Sequence, residues 1–266
     1  MKTIHVSPDG NDTWSGRLPE PNPGHTDGPV QTPARARDLA RAIDEQVEIR
    51  LRGGVHRLTD TLVLGPQDSG VAWRAHVGES PVISGAQPMT GWRRADDLDN
   101  LPAGVPESAA EHLWAVDLPA HPSDGARPWR FHALFDEAGA LPRAALPDVA
   151  YDADREATED AMPIRPGSLP ELESLELVEL SFAAAHNFYW HILPVAAIDN
   201  AGGWLRTGSP TAQPLKRTHG PTSDPDARLI RLENVPQGLT GPGTWWLDAA
   251  HDRLYLWPRH GTEPTG

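Results

Sequence analysis

Cysteine is absent from the 266-residue chain. This absence excludes disulfide bonds, cysteine nucleophiles and thiolate metal sites, although it does not decide the cellular compartment. Long apolar runs are also absent, and none approaches the ~18 residues that a membrane-spanning helix needs. The start, MKTIHVSPDG, has neither the apolar region nor the small-residue cleavage site of a secretory signal. The sequence therefore predicts a cytoplasmic location by default.

Basic residues are few compared with acidic ones. The chain has 23 Lys and Arg against 37 Asp and Glu, which gives a formal net charge of −14. A field of this sign repels nucleic acids and anionic membrane surfaces. We expect neither of them as a partner.

Proline and glycine are plentiful, with 28 and 24 residues respectively. Long helical patterns are scarce, and short strand-like runs recur between turn residues. This combination is typical of an all-β protein with many short strands.

One helix is clearly predicted, over residues 33–46. Thr32 can cap its N-terminus, and Pro33 suits the first helical position. Apolar residues spaced at i, i+3, i+4 and i+7 mark one face, which should lie on an apolar surface; they are Ala36, Leu39, Ala40 and Ile43.

Short strands are predicted on both sides of a soft boundary near residue 88. Before it, the links RGGVHR and GPQDSG are expected to be turns, and the strands are VEIRL (47–51), TLVL (61–64), VAWRA (71–75) and PVISG (81–85). After it, long Pro-rich loops separate HLWAVDL, RFHALFD, LELVELSF, HNFYWHIL, WLRTG, ARLIRLENV, TWWLD and RLYLW. We expect a second β-rich module there.

Several stretches together resemble bacterial right-handed parallel β-helix proteins, which include glycoside hydrolases of the fucosidase/xylanase kind. They are HVSPDGNDTWSGRLPEPNPGHTDGPVQTPARARDLARA, LRGGVHRLTDTLVL, ESPVISGAQPMTGW, LPRAALPD, NFYWHILPVAAID and RLIRLENVPQGLTGPGTWWLDAAHDRLYLWPR. The resemblance implies an all-β fold: the start of a parallel β-helix of pectin lyase-like type, with an N-terminal capping α-helix and an inserted β-sandwich-like module.

The resemblance also implies a domain organisation. Residues 1–88 would be the cap and first coils, 89–258 the inserted module, and 259–266 a tail leading to further coils. The partners it implies are an oligo- or polysaccharide and a C-terminal β-helix segment. Family members are often secreted, whereas the start of this sequence predicts a cytoplasmic location by default.

Glycosidic-bond hydrolysis needs two carboxyl groups that flank the bond. The resemblance places them on later coils, and no residue of this chain matches them. The catalytic residues are therefore unknown, and we expect the chain to be inactive alone. Two alternatives stay open: a non-catalytic glycan-binding or assembly module, and a polysaccharide lyase-type β-helix.

The cluster HNFYWH (186–191) is the most unusual local pattern. On a strand, Trp190 and His191 would point to opposite faces. The glycan-contact candidates are His186, Asn187, Tyr189, Trp190 and His191. The plainer interpretation is a strand with one aromatic face in the core. No metal is expected, since the histidines lack ligand spacing. No cofactor is expected either, since the sequence has no phosphate loop and no dinucleotide fingerprint. In TWWLD, alternation suggests that one tryptophan is exposed.

Overall fold

The computed structural model describes residues 1–97, 101–119, 129–183, 190–216 and 229–264. The protein is mostly β, as the sequence predicted, and divides into an N-terminal unit, Met1–Pro88, and a C-terminal unit, Met89–Gly266. Among the described residues, no helix is long and apolar enough to cross a membrane.

The N-terminal unit pairs its strands in parallel. They form a three-stranded sheet, β1-β2-β4, and a two-stranded sheet, β3-β5. Glu48 pairs with Ala72, and Gly54 pairs with Pro81. Strand β4 therefore lies beside β2, and β5 lies beside β3, although each comes some two dozen residues later in the chain. The strands are β1 Lys2–Val6, β2 Val47–Leu51, β3 Gly54–Arg57, β4 Ala72–Ala75 and β5 Pro81–Ser84.

The predicted helix is α1, Pro33–Arg41. The Thr32 hydroxyl accepts a hydrogen bond from the Arg35 N–H at 3.1 Å, which confirms the cap. Ala36 and Ala40 are buried in the apolar cluster around Ile49, as the apolar face predicted. The predicted C-terminus was too late. From Ala42 onward the N–H groups bond three residues back, to Leu39 and Ala40, and this tightened turn ends the helix.

Two local predictions in this unit were wrong. Residues 61–64 (TLVL) form no strand, and Val63 and Leu64 are exposed. The RGGVHR link is not only a turn, because its second half is β3. Gly54 has a φ of 111°, which lets the backbone bend sharply out of β2 and enter another strand after two residues.

The C-terminal unit pairs its named strands antiparallel throughout. It contains a short helix, α2 Glu107–Ala110, and twelve strands: β6 Arg93–Arg94, β7 Trp114–Asp117, β8 Leu134–Asp136, β9 Gly139–Leu141, β10 Ala145–Leu146, β11 Ala161–Pro163, β12 Glu179–Ala183, β13 Trp190–Asp199, β14 Trp204–Thr207, β15 Ile230–Glu233, β16 Trp245–Asp248 and β17 Arg253–Leu256. The sheets are β10-β15-β12-β13-β14-β11, β16-β17-β7-β6 and the hairpin β8-β9.

The four-stranded sheet has an apolar cluster on each face. Trp245 packs in one cluster with Leu247 and Leu254, whereas Trp246 packs in the other and stacks on Tyr255 at 5.3 Å between ring centroids. Both tryptophans are therefore buried, and the expectation that one is exposed was wrong. Alternation did send them to opposite faces, but both faces are covered.

The six-stranded sheet has an apolar inner face and a polar outer face. On its central strands β12 and β15, Leu180, Phe182, Ile230 and Leu232 face the largest core cluster of the unit. The side chains between them point the other way, because successive residues of a strand alternate. This outer face carries Glu179, Ser181, Arg231 and Glu233.

Candidate functional site

A buried carboxylate on the outer face gathers three basic side chains. Glu179 accepts hydrogen bonds from Arg143 Nη1 at 2.5 Å and from Arg130 Nη2 at 2.7 Å, and its Oε2 lies 2.9 Å from His132 Nε2. The side chains of Glu179 and Arg143 are almost fully buried, whereas those of Arg130 and His132 are 49% and 46% exposed. We call these four residues the Glu179 cluster.

The side chains of residues 129–132 alternate between two surroundings, although this segment forms no strand. Phe131 stacks on Trp245 at 5.3 Å, and Trp129 packs edge-on against Phe131. The two intervening side chains, Arg130 and His132, point instead to Glu179. Apolar packing of one set of side chains therefore positions the polar set.

The electrostatics of Glu179 do not suit a general acid. Burial raises its pKa, but the hydrogen bonds from Arg143, His132 and Arg130 outweigh burial and leave the pKa below its ordinary value. A glycosidase general acid must instead hold its proton near neutral pH. The neighbouring carboxylate, Glu233, lies 3.8 Å from Arg143 Nη1. A guanidinium thus occupies the space that a glycosidic oxygen would need between the two carboxyl groups.

The predicted glycan-contact residues fall only partly within the described chain. His186, Asn187 and Tyr189 lie outside the described residues. Trp190 lies on the outer face, is 45% exposed, and donates its indole N–H to Ser181 Oγ at 2.8 Å. His191 points to the inner face and stacks on Phe182 at 5.3 Å. The structure thus separates Trp190 from His191, and the contact role of this set stays a prediction.

The Glu179 cluster was missed by reasoning from the sequence. Its hydrogen bonds join residues 36 to 49 positions apart, so no local spacing announces them. The only available signal was the alternation in WRFH (129–132), where two aromatic and two basic residues take turns.

A cleft of about 140 Å³ lies between the 171–176 loop and the turn that joins β16 to β17. Asp248 is buried at its edge, and Asp248 Oδ2 lies 2.8 Å from Nδ1 of the exposed His251. Gln237 also lines the cleft, and its Oε1 has no hydrogen-bond partner in the described structure. In the same described ranges, no group of three or more His, Asp or Glu side chains is arranged to hold a metal ion.

The chain has the fold of part of a larger solved structure. That structure is named "Glycoside hydrolase"; the match has a TM-score of 0.67 and 20% sequence identity, and it covers 100% of this chain and 45% of the other. The chain thus spans less than half the length of that structure. A second match, to a complex of XylC with xylose, has a TM-score of 0.31 and 14% identity over 91% of this chain and 32% of that one, too low to carry an argument. No protein-family model matches, and no curated protein matches significantly.

Proposed function

We propose that the chain is part of a carbohydrate-active protein of glycoside hydrolase type. In this proposal, residues 1–88 are the cap and first coils of a right-handed parallel β-helix. Residues 89–258 are an inserted β-rich module, and residues 259–266 lead to further coils. The likeness to a structure named glycoside hydrolase supports the fold relation. That the substrate is a carbohydrate is part of the proposal.

One observation carries the coil assignment: the parallel edge of the N-terminal unit is apolar and exposed. Strands β4 and β5 each pair on one side only within the described residues. Large apolar side chains are exposed on β5, namely Val82 and Ile83, and in the connections that precede and follow β4, namely Val63, Leu64 and Val77. A solenoid coil buries its apolar side chains only against a neighbouring coil. Further parallel coils would cover this surface and pair the open edges.

We propose that the catalytic carboxylates of such an enzyme belong to those further coils. The carboxylate pair of the outer face, Glu179 and Glu233, is bridged by Arg143, and the pKa of Glu179 is lowered. Incubation of the purified chain with xylan and with fucosylated and galactosylated oligosaccharides should release no reducing sugar. Robust turnover of any of them would overturn the assignment.

A non-catalytic glycan-binding role is the second candidate, and the half-exposed ring of Trp190 favours it. Sugar rings present C–H faces that stack on aromatic side chains. Binding on a neutral glycan array that disappears in Trp190→Ala would support this role. Binding that survives the substitution would remove Trp190 from it.

A further inference from the structure

We propose that His5 and His76 form a pH-sensitive switch in the N-terminal unit, and that their protonation in mild acid weakens the pairing of strand β1 with β2. The two imidazole rings lie 6.2 Å apart between centroids. This inference concerns the stability of the parallel sheet, and it depends neither on the carbohydrate role nor on catalysis.

His5 is a buried histidine on the polar face of that sheet. Its neighbours on β1, Ile4 and Val6, point into the apolar cluster around Ile49, so the His5 ring points to the opposite face. The His5 N–H also donates to the carbonyl of Gly16, which places a connection along the free side of β1. Only 8% of the residue is exposed. A charge on this ring would therefore have little water around it.

The residues beside His5 leave no carboxylate free to balance such a charge. Arg50 lies next to His5 in the register of β1 and β2, and Arg74 follows in the same row on β4. Glu48 already accepts a hydrogen bond from Arg50 and lies 3.8 Å from Arg74 Nε. Nδ1 of His5 has no hydrogen-bond partner among the described residues. A proton on His5 would add a third positive charge around a carboxylate that two arginines share.

The side chains around His76 are also paired with one another. Arg52 Nε lies 2.8 Å from Glu79 Oε1, and Arg52 Nη1 lies 3.6 Å from Glu20 Oε1. Glu79 accepts a further hydrogen bond from the Gly53 N–H, and its Oε1 lies 3.3 Å from His76 Nδ1. The carboxylate nearest to His76 is therefore already engaged by a guanidinium and a backbone amide.

The charged side chains around the two histidines balance at neutral pH. They comprise three arginines and three glutamates: Arg50, Arg52, Arg74, Glu20, Glu48 and Glu79. Protonation of both imidazoles would turn this balance into an excess of two positive charges. Like charges at close range in a poorly hydrated site repel more strongly than at an open surface.

A lowered pKa of His5 gives the direction of the effect. Burial lowers it most, followed by His76, Arg50 and Arg52, whereas Glu48 raises it. Below the ordinary value of 6.5, the unfolded chain therefore binds a proton at His5 more readily than the folded chain does. The stability that neutral His5 provides is complete above pH 6.5 and is lost as the pH falls below it.

The two glutamates nearest to the rings stay ionised over this range. A hydrogen bond from Arg50 lowers the pKa of Glu48, and one from the Gly53 N–H, with Arg52 adding to it, lowers the pKa of Glu79. Strand β1 pairs with β2 from Lys2 to Val6 and carries His5 within that pairing. We therefore expect residues 2–6 and 47–51 to respond to mild acid.

Hydrogen–deuterium exchange of the whole chain at about pH 7.5 and about pH 5.5 tests the switch, with each rate corrected for the intrinsic pH dependence of amide exchange. Protection of residues 2–6 and 47–51 should fall about tenfold in acid relative to residues 179–183 of the C-terminal unit. His5→Gln keeps a neutral polar side chain and should remove most of this acid effect. His76→Gln should remove part of it.

His25→Asn is the matched control, because His25 is an exposed histidine of the same unit and its φ of 50° is one that asparagine tolerates. It should leave the acid effect unchanged. Unchanged protection of the native chain in acid would overturn the inference, as would an acid effect that persists in folded His5→Gln. Increased protection in acid would show that the glutamates receive the protonated rings, and it would also overturn the switch.

Nuclear magnetic resonance titration of the histidine rings in the native chain keeps the test independent of whether a variant folds. The His5 ring signals should titrate below the ordinary value of 6.5. Titration at or above that value would contradict the inference, because the folded chain would then accept the proton as readily as the unfolded chain.

Discussion

The two units of the chain use opposite strand pairings, and the consequence is visible at their surfaces. The N-terminal unit is parallel, and the C-terminal unit is antiparallel. Of the eleven large hydrophobic side chains that are exposed in the described residues, eight lie in the N-terminal unit, although it is the smaller of the two. Antiparallel strands find partners through tight connections within one module, whereas stacked parallel strands need a following layer.

We expect the largest loss of stability in the C-terminal unit when the buried ion pair between Glu179 and Arg143 is broken. Glu179→Ala would remove the nearer of the two carboxylates that pair with the buried Arg143 guanidinium and leave only Glu233, 3.8 Å away, so we expect a loss of about 3 kcal/mol in the free energy of unfolding of that unit. Asp160→Ala, which breaks an exposed pair with Arg206 at 3.9 Å, should cost less than about 1 kcal/mol. Urea unfolding measures both, and similar losses would show that the cluster does not organise the unit.

A matched pair of isoleucines tests whether the N-terminal unit has a core on one side and an open surface on the other. Ile49 on β2 is fully buried, and Ile83 on β5 is 51% exposed. Ile49→Ala should destabilise the unit by about 2–5 kcal/mol, whereas Ile83→Ala should change its stability by no more than about 0.5 kcal/mol. Thermal or urea unfolding compares them. A large loss for Ile83→Ala would mean that the parallel edge is already covered.

Removing the N-terminal cap of helix α1 should destabilise the N-terminal unit less than removing a core side chain. Thr32→Ala removes the acceptor for the Arg35 N–H, together with a hydroxyl that donates to Asp12 at 2.7 Å. We expect a loss of about 1 kcal/mol. Thr32→Ser retains the hydroxyl and should recover most of that stability in the same melting experiment. No difference between Ala and Ser at this position would show that the cap contributes little.

Protonation of Asp68 at acid pH should lower the stability of the N-terminal unit slightly. A hydrogen bond from Arg41, followed by one from the Gly65 N–H, lowers the pKa of Asp68 to about 2, from an ordinary value of 3.8. Its contribution to stability is therefore present above pH 3.8 and is lost as the pH falls toward 2. Melting temperatures between pH 2 and 5 should fall less steeply in Asp68→Asn. Parallel pH curves for the two proteins would contradict this assignment.

The sequence predicted the elements better than their surroundings. VEIRL became β2 without a change of bounds, and Thr32 caps α1, because capping and alternation are local. The expectation that Trp245 or Trp246 is exposed was wrong because burial of both faces of a sheet depends on distant segments. The Glu179 cluster could not be predicted for the same reason, because it depends on contacts between distant segments. Packing of Trp129 and Phe131 brings Arg130 and His132 to a strand 47 or more residues away.

Hydrogen–deuterium exchange of the native chain tests the open parallel edge most directly. Amides in open, weakly packed strands exchange faster than those in a closed core. Residues 72–84, which contain β4 and β5, should exchange much faster than residues 179–183 and 230–233 at the centre of the six-stranded sheet. Equal protection of the two regions would contradict the account, because the N-terminal unit would then already be closed without further coils.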